Sequence, residues 1–250
     1  MPLTHSRVRL TITLLLLFSL TGCPALDVWR PPAPTPEEYA RGLIVLYPGS
    51  SNMHIEMLAF YLALKEAGID LAIEVRPWGE FLEHVFDPIG TQQLFAQRAE
   101  VEAARVAEFV RAHPGKPVNL MTFSGGAVFA VLTAAALPQD APVNRVILLS
   151  PGIWTGTPLA EALDRTTQGL VSYYSPGENG VYLVAQFFGT ADGYFSEPAA
   201  ALGFSTSDPR LMQIPWSEDM RVFGNNGEHL DYFFNIPWIQ EYVVPWIITK

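Results

Sequence analysis

The 250-residue chain contains a single cysteine, Cys23. One thiol excludes an intramolecular disulfide and any cysteine-based zinc site. Positive charge is scarce as well: 15 Lys+Arg stand against 25 Asp+Glu, for a net charge of −10. A chain this acidic lacks the basic surface that neutralises phosphates, so nucleic acid is not an expected partner. Long hydrophobic runs are absent too. The apolar or hydroxylic stretch from Leu10 to Leu20 is about half of the roughly 20 residues a spanning helix needs. No internal repeat is visible. What is present is apolar: 49% of the residues are hydrophobic, 12% aromatic and only 16% charged. This composition excludes a disordered chain and predicts one full-sized domain with a large buried core.

The lone cysteine has a particular setting. Residues 1–9 carry Arg7 and Arg9 and no acid, and the short apolar stretch follows. This is the layout of an export signal. It ends in Leu20-Thr21-Gly22-Cys23, which resembles the bacterial lipobox. The resemblance implies cleavage before Cys23 and lipidation of that residue. The protein would then be exported and anchored to a membrane surface of the cell envelope, periplasmic or outer, rather than spanning it. Pro24, Pro31, Pro32, Pro34 and Pro36 make residues 23–36 an extended, semi-rigid tether. Thr35-Pro36-Glu37-Glu38 reads as a helix start with a capping box. The expected division is a signal peptide at 1–22, a lipidated tether at 23–36 and a folded domain at 37–250.

Within that domain, apolar runs alternate with helical patterns. The runs expected to be strands are Gly42–Tyr47, Leu71–Arg76, Val118–Phe123, Arg145–Ser150, Val181–Phe188 and Met220–Phe223. Most lack polar alternation, as strands covered on both faces do. Helical spacing links Ile55, Leu58, Ala59 and Leu62, and then Phe95, Ala99, Ala103, Val106, Ala107 and Val110. The segment from Gly125 to Ala136 is apolar all round and predicts a buried helix. The expectation is an α/β fold: a mostly parallel sheet of about six strands with helices on both faces. Ligands of such sheets bind beyond the carboxyl ends of the strands.

Three Ser-x-Gly sequences occur, at Ser124, Ser150 and Ser175. An acyl-transfer serine uses the amide of the next residue in its oxyanion hole. Pro151 and Pro176 have no amide hydrogen, so only Ser124, followed by Gly125, qualifies. Ser124 also falls between an expected strand and an expected helix. Here Thr122-Phe123-Ser124-Gly125-Gly126 resembles the nucleophile elbow of the α/β-hydrolase family, whose pattern is Gly-x-Ser-x-Gly. Thr122 departs at the first position. The resemblance implies that fold with a short cap, and further roles in chain order. Pro48-Gly49-Ser50-Ser51 matches the family's oxyanion loop, so the Ser50 and Gly125 amides would form the hole. Gly189-Thr190-Ala191-Asp192 resembles the acid loop, making Asp192 the expected acid over the turn residues Asp208 and Asp219. His229 is the only histidine downstream of Asp192 and is the expected base. His54, His84 and His113 read as a solvated helix residue, a loop residue and a helix-end residue.

These residues imply a serine hydrolase that works through an acyl-enzyme on a small-molecule or lipid ester, with no cofactor and no metal. An esterase or lipase comes first, and a peptidase or thioesterase would use the same groups. Trp154 and Tyr173, in the segment from Pro151 to Gly180 where the family inserts its cap, are the expected substrate-binding residues. The alternative is a non-catalytic, lipid-anchored binding module of the cell envelope on the same fold.

Overall fold

The computed structural model describes residues 29–80, 83, 87 and 90–248. Cys23, the expected export signal and His84 lie outside the described residues.

Chain order begins with α1 (Pro36–Arg41), where Thr35 caps Glu38 and the Glu38 side chain bonds back to Thr35, as a capping box requires. The strands are β1 (Leu43–Tyr47), β2 (Ala72–Val75), β3 (Val118–Phe123), β4 (Arg145–Leu149), β5 (Leu170–Tyr174) and β6 (Leu211–Pro215). They form one sheet in the order β2-β1-β3-β4-β5-β6, and every pair is parallel. Helices α2 (Leu58–Glu66), α3 (Thr91–Ala112) and α4 (Gly126–Ala135) cover it, with a last helical run from Ile236 to Ile248.

Alternate residues of β1 serve two cores. Leu43, Val45 and Tyr47 pack with Phe95, Ala99 and Val106 of α3 and Phe129 of α4. Ile44 and Leu46 pack with Phe60 and Leu64 of α2 and with Trp238 and Val243. A strand apolar on both faces needs a layer on each side, which is why polar alternation is missing from its sequence. This is an open, parallel sheet covered by helices, with its strand order reversing between β1 and β3.

Two expected strands are corrected. Val181–Phe188 lies in a helix, α6 (Asn179–Phe188), ended by Gly189 at φ 82°. A short apolar run has no period that separates a buried strand from a helix. Met220–Phe223 lies in a 3₁₀ turn (Glu218–Phe223) stopped by left-handed Gly224. The strands that take their places in the sheet are β5 and β6. Because β5 lies within the segment from Pro151 to Gly180, the expected cap is not one continuous insertion. Before β5, α5 (Ala160–Asp164) places Ala162 and Leu163 in the core shared with α4, and α6 and α7 (Ala199–Leu202) follow β5.

Candidate active site

The site is assembled from the carboxyl ends of β1, β3, β4, β5 and β6. Ser124 follows β3 with φ 54°, a left-handed conformation rarely adopted by non-glycine residues. This is the sharp strand-to-helix turn that lifts a serine Oγ above a sheet. Close packing explains the glycines after it. A Cβ on Gly126 would lie 2.2 Å from the Pro48 carbonyl oxygen and 2.3 Å from Thr122 Oγ1. Thr122 therefore fits at the elbow's first position because Gly126 leaves room, and its hydroxyl donates to the Tyr47 carbonyl at 3.0 Å, tying β3 to β1.

His229 comes from the loop between the 3₁₀ turn and α8 (Asp231–Phe234). Its Nε2 lies 2.9 Å from Ser124 Oγ. The ring rests against Phe123, with centroids 4.6 Å apart, and Phe123 in turn stacks on Phe233. Two aromatic side chains thus fix the plane of the imidazole.

The carboxylate behind the imidazole belongs to Glu178, and this corrects Asp192. Glu178 Oε1 lies 2.5 Å from His229 Nδ1. Its side chain is almost fully buried. Glu178 stands at the end of Ser175-Pro176-Gly177-Glu178, a turn after β5 closed by its amide donating to the Ser175 carbonyl at 3.0 Å. An ionised carboxylate only accepts, so Nδ1 carries the proton and Nε2 is left as an acceptor for the Ser124 hydroxyl. Burial comes first, and the nearby Glu178 charge second, in holding the Tyr232 phenol well above its usual range. Tyr232 is therefore neutral next to the acid.

Asp192 is occupied elsewhere. Its carboxylate accepts from the Trp154 amide at 3.0 Å and from the hydroxyls of Thr157 and Thr190, each at 2.5 Å. It clamps two cap loops together. The apolar run Val181–Phe188 made Asp192 look like a post-strand acid, but that run is a helix. The signal for Glu178 was a strand-like Leu170–Tyr174 followed by a Ser-Pro-Gly turn and an acid.

Ser50 and Gly125 lie together beside the serine: a Cβ on Gly125 would sit 2.3 Å from Ser50 Oγ, and one on Gly49 would sit 3.3 Å from Ser124 Cβ. The Ser50 loop is held from outside. Asn52 Oδ1 accepts the Trp78 and Gly79 amides at 3.0 and 3.1 Å, and Trp78 Nε1 donates to the Pro48 carbonyl at 2.7 Å. Gly152 was not singled out in the sequence, yet its amide donates to the Ser124 carbonyl at 2.9 Å. A Cβ there would stand 3.2 Å from the Gly125 nitrogen, in front of the expected oxyanion donor.

The substrate-binding expectations fare differently. Tyr173 is corrected: it is 1% exposed, packs on Trp238, and bonds through its hydroxyl to the Tyr242 carbonyl and Trp246. It belongs to the core under the sheet. Trp154 is half-buried in the cap and stacks on Tyr194. His54 opens the 3₁₀ turn before α2, and His113 bonds the Phe109 carbonyl and stacks on that ring. Among the described residues, no group of three or more His, Cys, Asp or Glu side chains could hold a metal. None of their helices is long and apolar enough to cross a membrane.

No protein-family model matches the sequence, and no curated protein matches it. Solved structures similar to the chain include a Trichoderma reesei cutinase in complex with a phosphonate inhibitor. It is 15% identical, with 83% of this chain and 77% of that one covered and a TM-score of 0.46. The esterase domain of a Rhodothermus marinus protein is 12% identical, covering 86% and 89% at a TM-score of 0.47. A lipase/esterase from Lactobacillus plantarum is also 12% identical, covering 83% and 87% at 0.44. The chain itself has an open α/β fold in which a serine, a histidine and a glutamate meet at the carboxyl edge of a parallel sheet.

Proposed function

We propose that the protein is a serine hydrolase that cleaves carboxylic esters through an acyl-enzyme, with Ser124 as nucleophile, His229 as base and Glu178 as the acid. The observation that carries this reading is the relay itself: Ser124 Oγ at 2.9 Å from His229 Nε2, and Glu178 Oε1 at 2.5 Å from Nδ1. In the proposed reaction, His229 Nε2 takes the Ser124 proton as Oγ bonds to the ester carbonyl carbon. The amides of Gly125 and Ser50 receive the oxyanion. Collapse breaks the bond to the leaving alcohol, which takes the proton from His229. Water, activated by the same imidazole, then releases the acid and restores Ser124. Glu178 stays ionised and stabilises the imidazolium.

An apolar acyl group suits the surroundings. Helix α6 begins immediately after Glu178 and contains no charged residue. Leu183, Val184, Phe187 and Phe188 on one of its faces are exposed, together with Tyr194 and Phe195. Such a face favours water-insoluble esters at a lipid surface. It agrees with the proposed export and lipidation at Cys23.

Fluorophosphonate labelling of the mature protein, with the modified peptide identified by mass spectrometry, tests the reading. The expected label sits on Ser124 and disappears in both Ser124→Ala and His229→Ala. An ester series of rising chain length should show kcat/KM climbing with acyl length. A folded protein that takes no label and cleaves no ester would remove the hydrolase reading and leave the binding module.

A further inference from the structure

Ser150, at the end of β4, has no part in the reaction as described, yet it touches two of its three side chains. Its Oγ lies 2.9 and 2.8 Å from the two oxygens of Glu178, and 2.7 Å from His229 Nδ1. The residue is fully buried. Its backbone is held at φ 48°, and its amide donates to the Tyr173 carbonyl of β5 at 2.9 Å. A left-handed serine is retained only where its surroundings over-determine it.

Proton accounting defines what the hydroxyl does. Glu178, ionised, can only accept, so the single Ser150 proton goes to its carboxylate. The Ser150 lone pairs then face the Nδ1–H of His229. That hydrogen is shared between Glu178 Oε1 and Ser150 Oγ, and the three groups close a ring. The left-handed turn places the hydroxyl there: β4 ends against β5, and Glu178 stands on the turn that follows β5.

We propose that Ser150 is a positioning residue of this site, orienting the Glu178 carboxylate toward His229 and helping to hold the Nδ1–H tautomer. This rests on the hydrolase reading for its effect on rate, and on the ring of contacts alone for its effect on His229.

The test uses the full chain as wild type, Ser150→Ala and Ser150→Gly. Alanine removes only the hydroxyl. Glycine removes it and also relaxes the left-handed backbone, so the pair separates the hydroxyl from strain. Both should lower kcat about tenfold with KM unchanged, the loss expected for one hydrogen bond to a charged group in the relay. Both should also move the low-field proton resonance of His229 Nδ1–H, assigned by its loss in His229→Ala. A purely structural serine would lower the melting temperature and leave kcat and the resonance in place, which would overturn the proposal. If the wild type cleaves no ester, the hydrolase reading fails, and the resonance still decides whether Ser150 acts on His229.

Discussion

At the scale of single residues, two acids differ in what their oxygens touch. Glu178 is buried against an imidazole, whereas Asp192 is saturated by one amide and two hydroxyls of the cap. Their conservative amides should therefore separate. Glu178→Gln puts a neutral group behind Nδ1, removes the charge that stabilises the imidazolium, and can favour the wrong tautomer. It should lower kcat by on the order of 10⁴ with little change in KM. Asp192→Asn replaces one acceptor oxygen by a donor, facing either the Thr157 hydroxyl or the Trp154 amide and the Thr190 hydroxyl. It should lower the melting temperature by loosening the cap, with turnover near wild type. Steady-state kinetics and thermal melts of the two variants check both statements, and equal losses of kcat would overturn the assignment of the acid. The serine and the histidine were legible as residues because the Pro151 and Pro176 rings disqualified the other two Ser-x-Gly sites, and because one histidine alone follows the later acid candidates.

At the scale of elements, the elbow depends on the approach of β3, α4 and the loop after β1. Gly126 opens α4 where the Pro48 carbonyl passes, leaving no room for a methyl group. Gly126→Ala should thus push the β1 loop and the Ser50 amide away from Ser124. The expected cost is about 1–3 kcal/mol of stability, as for other overpacked sites, together with loss of fluorophosphonate labelling. Denaturant melts and labelling measure the two effects, and a variant with wild-type labelling would show that the loop can yield. Element type was readable where length or caps spoke: α1 had its capping box, and α3 had about four turns of apolar spacing. It was not readable in α6 and β5. Val181–Phe188 and Leu170–Tyr174 are both short apolar runs with β-branched and aromatic residues. Only their neighbours decide between them: β5 is paired on both sides by β4 and β6, while α6 leaves one apolar face exposed.

At the scale of the whole molecule, charge and attachment set where such a site would operate. A net charge of −10 repels anionic lipid, so membrane residence would have to come from acyl chains rather than from electrostatic adsorption. On the proposed export and lipidation, Cys23→Ala expressed with residues 1–22 should move the protein from the membrane fraction to the soluble fraction of the envelope. Fractionation and immunoblotting read this directly. An unchanged membrane fraction would mean that another part of the chain, such as the exposed face of α6, provides the attachment.

The sequence by itself determined the class of architecture, because apolar runs alternating with helical patterns fit parallel strands covered by helices on both faces. It also determined the position of the Ser124 turn, because of the three Ser-x-Gly serines only Ser124 has an amide hydrogen behind it and glycines where backbones converge. Tertiary structure alone decided which acid reaches His229, what Ser150 touches and which tyrosine is core. Those outcomes depend on which short runs pair into the sheet, and that choice is made by neighbours far away in sequence. Replacing one strand by another carries every loop at the sheet's edge to a new place, and the acid of the relay moves with it.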